Sequence, residues 1–386
     1  MFFMTRSDVF TPLTNPLLWA SHMLPIYRQQ DGEDTKAKNE AVFATCSRVL
    51  KYGRNLLIFG EGFTDDVFIR RLKPIKKGAV RIGFDTLQKI HWKKKIYVAA
   101  VGCNYSLPNQ MRSDILISTS NKICLNDYRE EYEVNPNRVI ADLTKRIEFL
   151  LQEQITHVEV AENAPFHENI MILARRGMNA FNFDRKLSLK QRWEYSRSLA
   201  KWLNKQDFEM NEELKELKSD CEHYFALLKR FKLEEQFLYW KIAHPERSRL
   251  KEVGVMLALA PMAVLGFLHL ALPYILVKRF VEKSFKRKVF YGSVKLILGQ
   301  IVMGLYSIPF IFLFHAFVYP SWWLSFLYYV LIGVFGLCTY IWMINFKEFT
   351  KKGVLNKTDI SKFAARRTEL IEKLKSVLPE EFHPKN

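Results

Sequence analysis

Three long apolar stretches near the C-terminus constrain this chain more than any other feature. Residues 253–277 and 322–346 contain no charged side chain, and residues 294–318 contain only Lys295, near their start. As a helix rising 1.5 Å per residue, each stretch would be about 37 Å long, enough to cross a hydrocarbon core about 30 Å thick. Core helices of soluble proteins rarely run so far without a charge. The sequence therefore predicts an integral membrane protein.

The positive charge of the chain predicts an anionic partner. Lys and Arg number 58 against 40 Asp and Glu, which gives a net charge of +18. Anionic lipid, a phosphorylated substrate and nucleic acid would all match this charge. Nucleic acid is the weakest match, because hydrophobic residues make up 49% of the chain and no aromatic–basic nucleic-acid motif occurs. Membrane lipid and a phosphorylated small molecule are the predicted partners, with no nucleic acid.

The cysteines give no sign of a metal or disulfide framework. They are five in number, scattered, and form no CxxC pair. Such a pattern favours a reducing compartment over a disulfide-stapled or zinc-bound fold. No metal site and no cofactor are predicted.

Short apolar runs alternate with helical patterns over residues 1–180. Apolar runs bounded by turn residues are typical of buried parallel strands. The runs are residues 56–59, 96–101 and 115–117, and the helical patterns are residues 36–50 and 78–90. The alternation predicts an α/β domain over residues 1–180, with a mostly parallel sheet flanked by helices.

Two predicted helical regions follow this domain and end the chain. In the helical segment 181–250, apolar side chains recur at helical spacing, which fits a helical hairpin packed on the α/β domain, or alternatively an amphipathic helix lying on the bilayer. The tail, residues 347–386, shows a second stripe after Asp359, a candidate helix cap, and is predicted to be a short cytoplasmic helix. The first stripe is Leu214, Leu217, Cys221, Tyr224, Leu228 and Phe231, and the second is Ile360, Phe363, Ala364, Ile371, Leu374 and Leu378.

Charge and proline predict how residues 251–346 lie in the membrane. The loop 278–293 and the start of the tail are rich in Lys and Arg, whereas residues 319–321 are uncharged, so the positive-inside rule places loop and tail in the cytoplasm. The N-terminus has no layout of an export signal, so the α/β domain should share that side. Pro261 and Pro273 would break a helix. We therefore expect a re-entrant hairpin at 253–277 and two spanning helices, in the cell inner membrane.

Two local patterns in the α/β region suit a phosphorylated ligand. Arg28 ends the apolar run at residues 23–27, and its guanidinium fork suits a pair of phosphate oxygens. Glu61 and Gly62 follow the run 56–59, where a glycine turn allows close backbone approach, and Thr64 adds a hydroxyl. Taken alone, the first pattern is also consistent with a surface arginine at the end of a strand. The second is also consistent with an ordinary strand-to-loop turn.

Together with the strand at 98–101, these patterns resemble the glycerol-phosphate and lysophosphatidic acid acyltransferase family. The resemblance covers roughly residues 1–155 and includes Asn15-Pro16 and the stretch 72–79. It implies that Arg28 and the turn Glu61-Gly62 bind the phosphate and glycerol of the acceptor. It further implies an acyl thioester donor, either acyl-CoA or acyl carrier protein, and a role in phospholipid synthesis.

The family's catalytic pair is missing from these residues. In the family, a histidine with an aspartate five positions later acts as general base on the acceptor hydroxyl. None of the nine histidines here has that partner, and His157, with Glu162 in that place, lies far past the family's position. No catalytic residue can be named. We expect a truncated or mis-started chain with little activity; the alternative is a non-catalytic membrane protein that binds phosphorylated lipid.

Overall fold

The computed structural model divides the chain into two compact units, described separately below. Residues 162–180 of the predicted α/β domain fall in the second unit, with the helical segment, the membrane helices and the tail. The N-terminal unit comprises residues 1–64, 69–104 and 115–161, and the C-terminal unit comprises residues 65–68, 105–114 and 162–386. The described residues are 1–12, 14–27, 35–62, 67–108, 113–244, 250–285, 287–357 and 359–384.

A small parallel sheet lies at the start of the N-terminal unit. Strands β1 (Phe2–Arg6), β2 (Met23–Ile26) and β3 (Leu56–Leu57) are arranged in the order β2-β1-β3, and both outer strands run parallel to β1. Helix α1 (Asn15–Ala20) leads into β2, and α2 (Thr35–Lys51) connects β2 to β3. The buried side chains beneath the sheet are Met4, Leu24, Val42, Cys46, Val49 and Ile82.

The rest of the N-terminal unit combines helices with an antiparallel β-ribbon. Helix α3 (Gly78–Lys89) and helix α5 (Pro136–Gln154) bury the core residues Val80, Phe84, Leu87, Val139 and Leu143. The ribbon pairs β4 (Tyr97–Val98) with β7 (Ile123–Cys124), and β5 (Val101–Tyr105) with β6 (Ile115–Thr119). Helix α4 (Arg129–Val134) lies between β7 and α5.

The predicted parallel sheet flanked by helices is present, but it has only three strands among the described residues, and the chain is mostly helical. Both predicted crossover helices are confirmed by α2 and α3. The prediction of buried parallel strands is wrong for 96–101 and 115–117, which form the ribbon with Ile115 and Ile117 exposed, and β3 is a half-buried edge strand. The cause is that a short apolar run specifies neither the strand's partner nor its place in the sheet.

Outside the apolar stretches, the C-terminal unit is a helical bundle. Its helices are α6 (Ala164–Ala174), α7 (Leu189–Leu203), α8 (Glu212–Arg230), α9 (Glu235–Ala243) and, from the tail, α13 (Ser361–Val377). The α8 stripe is buried up to Leu228 in a core that it shares with α6 and α13, so it packs rather than lies on a bilayer. The tail helix is likewise buried along Phe363, Leu370 and Leu374.

Three helices of the C-terminal unit are long and apolar enough to cross a membrane: α10 (Leu250–Ser284), α11 (Tyr291–Phe317) and α12 (Trp322–Lys357). The predicted re-entrant hairpin at 253–277 is wrong, because α10 is one continuous helix with Pro261 and Pro273 inside it. Helix α10 packs closely on α12 in this region: a Cβ added at Gly266 would lie 2.3 Å from the carbonyl oxygen of Phe335. Packing against a neighbouring helix is the setting in which proline is tolerated inside a long apolar helix.

Helices α10 and α12 run antiparallel along their length. Lys352 Nζ lies 2.9 Å from Glu252 Oε1 at one end of the pair. Further along, Trp342 Nε1 donates to the Met256 carbonyl at 3.1 Å, and Thr339 Oγ1 donates to the Ala263 carbonyl at 2.9 Å. The C-terminus of α12 therefore lies beside the N-terminus of α10.

Helix α11 contacts α10 near its own start and α12 near its own end. Near its start, Lys295 Nζ lies 2.7 Å from Glu282 Oε1, and near its end the rings of His315 and Trp322 stack with centroids 4.0 Å apart. At its middle, His269 Nε2 of α10 lies 3.4 Å from Ser307 Oγ. That loop 278–293, the tail and the α/β domain share the cytoplasmic side stays a prediction.

Candidate functional site

The carboxyl-terminal edge of the parallel sheet brings the predicted ligand-binding segments together. Ligands of α/β proteins bind at this edge, beyond the ends of the strands. Phe3 pairs with Leu57 on one side and Arg6 pairs with Ile26 on the other, so continuing the register places Ile26 level with Gly60. Two strand spacings, about 10 Å, would separate them. Arg28 and Thr64 themselves lie outside the described residues.

The residue before Arg28 is held in place by a side-chain amide. Asn39, on α2, accepts from the Tyr27 backbone N–H at 3.0 Å and donates to the Tyr27 carbonyl at 2.7 Å. Because both backbone groups of Tyr27 are bonded, the chain leaves β2 in a defined direction. No sequence pattern indicates this role for Asn39.

The turn at Glu61 and Gly62 is built as a tight turn that glycine favours. Gly62 has a φ of +68° and donates its N–H to the Phe59 carbonyl at 3.2 Å. Glu61 Oε1 accepts from the Lys73 backbone N–H at 2.9 Å. One carboxylate oxygen of Glu61 thus serves to orient the loop.

His157 fixes the neighbouring residue of the same loop. Its Nδ1 accepts from the Leu72 N–H at 2.9 Å, and the Val158 N–H donates to the Arg70 carbonyl at 2.8 Å. Because Nδ1 accepts, the proton of the neutral ring resides on Nε2. His157 therefore supports the segment that Glu61 also binds, a function that its sequence position did not indicate.

Arg6 is a further cation near this edge, and the sequence patterns do not indicate it as a site residue. It ends β1, the central strand, between the ends of β2 and β3. Its Nε donates to Asp8 Oδ1 at 2.9 Å, so part of its charge is balanced locally. Only the strand order, which sequence periodicity does not reveal, places Arg6 there.

A small apolar cavity adjoins the end of β2. Its volume is about 260 Å³, and it lies between the strand and α2. Lys38 Nζ lies 5.6 Å from the centre of the Tyr27 ring beside it. The lining residues are Trp19, Leu24, Pro25, Tyr27, Lys38, Ala41, Val42 and Thr45. The cavity can hold a short apolar group, but its lining brings no acid–base pair together.

The N-terminal unit should lose stability in acid through His157. Burial lowers the pKa of His157 below its usual value near 6.5, and Arg71 acts in the same direction while Glu159 opposes it. As pH falls through about 6.5, His157 takes up a proton in the unfolded chain but stays neutral in the folded chain. The free energy of unfolding therefore falls with pH. Below the lowered pKa, His157 is protonated in both states, and its contribution no longer changes with pH.

Thermal unfolding midpoints of the detergent-solubilised chain between pH 5 and 8 test this prediction. In the variant His157→Gln, the amide oxygen can still accept from Leu72 and does not titrate. The unaltered chain should therefore lose more stability than the variant in that pH window. A difference between the two that stays constant from pH 5 to pH 8 would contradict the assignment.

Comparison with known proteins bears on the same part of the chain. Residues 1–104, which hold the parallel sheet and the Glu61-Gly62 turn, match the family model described as Acyltransferase. No curated protein and no solved structure matches the chain. The match covers 104 of the 386 residues. It therefore supports the acyltransferase family and acyl transfer as the general class of activity, with the C-terminal apolar helices indicating membrane association.

Proposed function

We propose that this chain is the acceptor-binding part of a phospholipid-synthesising acyltransferase. The acyl group would pass from a thioester, acyl-CoA or acyl carrier protein, to a hydroxyl of glycerol 3-phosphate or lysophosphatidic acid. The hydroxyl oxygen attacks the thioester carbonyl carbon, an ester forms, the C–S bond breaks, and the thiol leaves with the hydroxyl proton. The observation that carries the proposal is the Glu61-Gly62 turn, which follows a parallel strand within the matched residues.

The proposed acceptor site uses the groups around the sheet edge. Arg28 would bind the phosphate through its guanidinium fork. The second carboxylate oxygen of Glu61 and the hydroxyl of Thr64 would contact the glycerol hydroxyls, and Gly62 would let the ligand approach the backbone. Arg6 adds positive charge beside the phosphate. These roles follow from the family resemblance and the shared sheet edge.

A non-catalytic role remains the second candidate. The 386 residues hold no histidine with an aspartate five positions later, so no general base of the family's kind is present in them. A membrane protein that binds phosphorylated lipid through the same edge would need only Arg28 and the turn. An in-frame histidine–aspartate motif encoded upstream of residue 1 would favour the enzyme, and its absence would favour this second function.

Binding of glycerol 3-phosphate to the purified chain tests the shared part of both candidates. In Arg28→Met, loss of a charged hydrogen-bonding pair should weaken binding by roughly 10-fold or more, since such bonds are worth about 1.5–3 kcal/mol. Isothermal titration in detergent measures this, with lysophosphatidic acid as the second ligand. Arg138→Met is the matched control, because the Arg138 side chain is 78% exposed. Equal affinities of Arg28→Met and the unaltered chain would defeat the phosphate site.

A further inference from the structure

The β-ribbon of the N-terminal unit has one face that the rest of the unit does not cover. Along this face, Tyr97 and Ile115 are each 45% exposed, Val101 is 37% exposed and Ile117 is 62% exposed. Cys103, between them, is exposed as well. Strand alternation places these side chains together on the outer side. We call these five residues the ribbon face.

The other side of the ribbon is fixed against helix α5. Asn104 Nδ2 donates to the Gln154 carbonyl at 2.9 Å, and Ser118 Oγ donates to the same oxygen at 2.6 Å. A Cβ added at Gly102 would lie 2.2 Å from that oxygen, so only glycine allows this approach. Because the alternate residues are held inward, the ribbon cannot turn its apolar face into the core.

An uncovered apolar face of this kind calls for a partner. Antiparallel sheets with one solvated face normally carry polar side chains there, and contiguous exposed apolar patches mark interaction sites. Here the face carries valine, isoleucine, tyrosine and cysteine side chains.

Lysines at one end of the ribbon face identify the chemistry of that partner. Lys93, Lys95 and Lys122 are exposed, and Lys122 Nζ lies 4.4 Å from the centre of the Tyr97 ring. Apolar side chains beside tyrosine and lysine are the arrangement that binds the boundary between lipid headgroups and acyl chains. Lysines near an anionic membrane surface are attracted to its phosphates.

We propose that the ribbon face lies on an anionic lipid bilayer, with Val101, Ile115 and Ile117 at the headgroup–acyl boundary and the three lysines at lipid phosphates. The same chain has three helices long and apolar enough to cross a bilayer, so lipid is a partner that another part of the chain also favours. The ribbon face does not depend on acyl transfer, and the proposal goes beyond the proposed function. It adds a second, reversible contact between the chain and its membrane.

Cys103 provides a native reporter in the full chain. Cys46, Cys221 and Cys338 are buried, so replacing half-buried Cys124 with serine leaves Cys103 as the reactive thiol. A bimane label on Cys103 is read in nanodiscs of phosphatidylglycerol and phosphatidylcholine, with doxyl-lipid as the membrane quencher and iodide as the aqueous quencher. The matched control carries Cys103→Ser and Lys145→Cys, a site exposed on α5.

In anionic nanodiscs, iodide should quench the Cys103 label at least about threefold less than it quenches the Lys145→Cys label. Doxyl-lipid should quench the Cys103 label. The variant Lys93→Glu/Lys95→Glu/Lys122→Glu, and nanodiscs of phosphatidylcholine alone, should each reduce the doxyl-lipid quenching. Equal iodide access at the two sites in anionic nanodiscs would overturn the proposal. So would disulfide crosslinking between Cys103 residues of two chains at every lipid ratio, because a second copy would then cover the face.

Discussion

Replacing Arg367 with methionine is expected to destabilise the helical core of the C-terminal unit by about 3–5 kcal/mol, because it leaves a buried carboxylate without its partner. Arg367 Nε lies 2.6 Å from Glu235 Oε1, and the Glu235 side chain is 3% exposed. Tyr224 donates its hydroxyl to the other carboxylate oxygen. This pair joins the tail helix α13 to helices α8 and α9.

The charge balance at Glu235 explains the size of the effect. Burial raises the pKa of Glu235, and Arg367 is the first group that opposes this rise, followed by Tyr224. Burial and the charge of Glu235 together raise the pKa of Tyr224, so its hydroxyl keeps its proton and donates. Without Arg367 the carboxylate must either take up a proton or remain charged in an apolar core, and both cost free energy.

Labelling of Cys221 measures this loss, since that thiol is buried in the same core. Arg367→Met should label faster than the unaltered chain by roughly two to three and a half powers of ten, at about 1.4 kcal/mol per power. Arg366→Met is the control. The Arg366 side chain is 37% exposed, so its ion pairs should contribute under about 1 kcal/mol to the stability of this core.

A double variant separates the lost pair from lost packing. Glu235→Gln combined with Arg367→Met removes both charges and should regain part of the stability, because the uncompensated carboxylate is gone. Labelling no faster in Arg367→Met than in Arg366→Met would show that the pair does not hold α13 in place.

Acyl transfer by purified residues 1–386 should be slower by about 10²–10⁴-fold than by a family enzyme that has the histidine–aspartate pair. General-base catalysis typically supplies that factor, about 3–5 kcal/mol of barrier. His157 is unsuited to replace it, because its Nδ1 accepts from Leu72 and Nε2 then carries the proton. A carboxylate is ordinarily a weaker base than imidazole near neutral pH, so the family's histidine has no equal replacement at position 61.

The assay follows acylation of glycerol 3-phosphate in nanodiscs, with acyl-CoA and acyl carrier protein thioesters as donors. The unaltered chain and Glu61→Gln should both show rates about 10²–10⁴-fold below the reference enzyme, while glycerol 3-phosphate binding persists in the unaltered chain. Rates matching those of the reference enzyme would contradict the prediction and require a base elsewhere in the chain.

Sequence patterns predicted the local elements better than their partners. The helices α2 and α3 and the buried stripe of α8 follow from apolar spacing, which is a property of each segment alone. The ribbon at residues 97–124 and the edge position of β3 depend on pairing between distant segments, which a short apolar run does not encode. The prolines predict a break in α10, but the structure has one continuous helix there, packed closely against α12.

The candidate site was predicted in part for the same reason. Glycine at position 62 indicated a turn, because its positive φ is a local requirement that few other residues meet. His157 and Asn39 were missed, since each acts through one long-range hydrogen bond to the backbone of another segment. Only the folded chain brings such a pair of segments together.

The division of one helical core between two distant stretches of sequence sets an order on the assembly of this protein. Helices α6 and α8 pack against α13, but α10, α11 and α12 are synthesised between them. At about 5–20 residues per second, a ribosome needs roughly 7–30 seconds to pass from α8 to the end of α13. During that interval the apolar side of α8, including Leu214 and Tyr224, has no tail helix to cover it. Membrane insertion must therefore precede completion of the core, and a chain that fails to insert exposes a surface that chaperones and proteases can recognise.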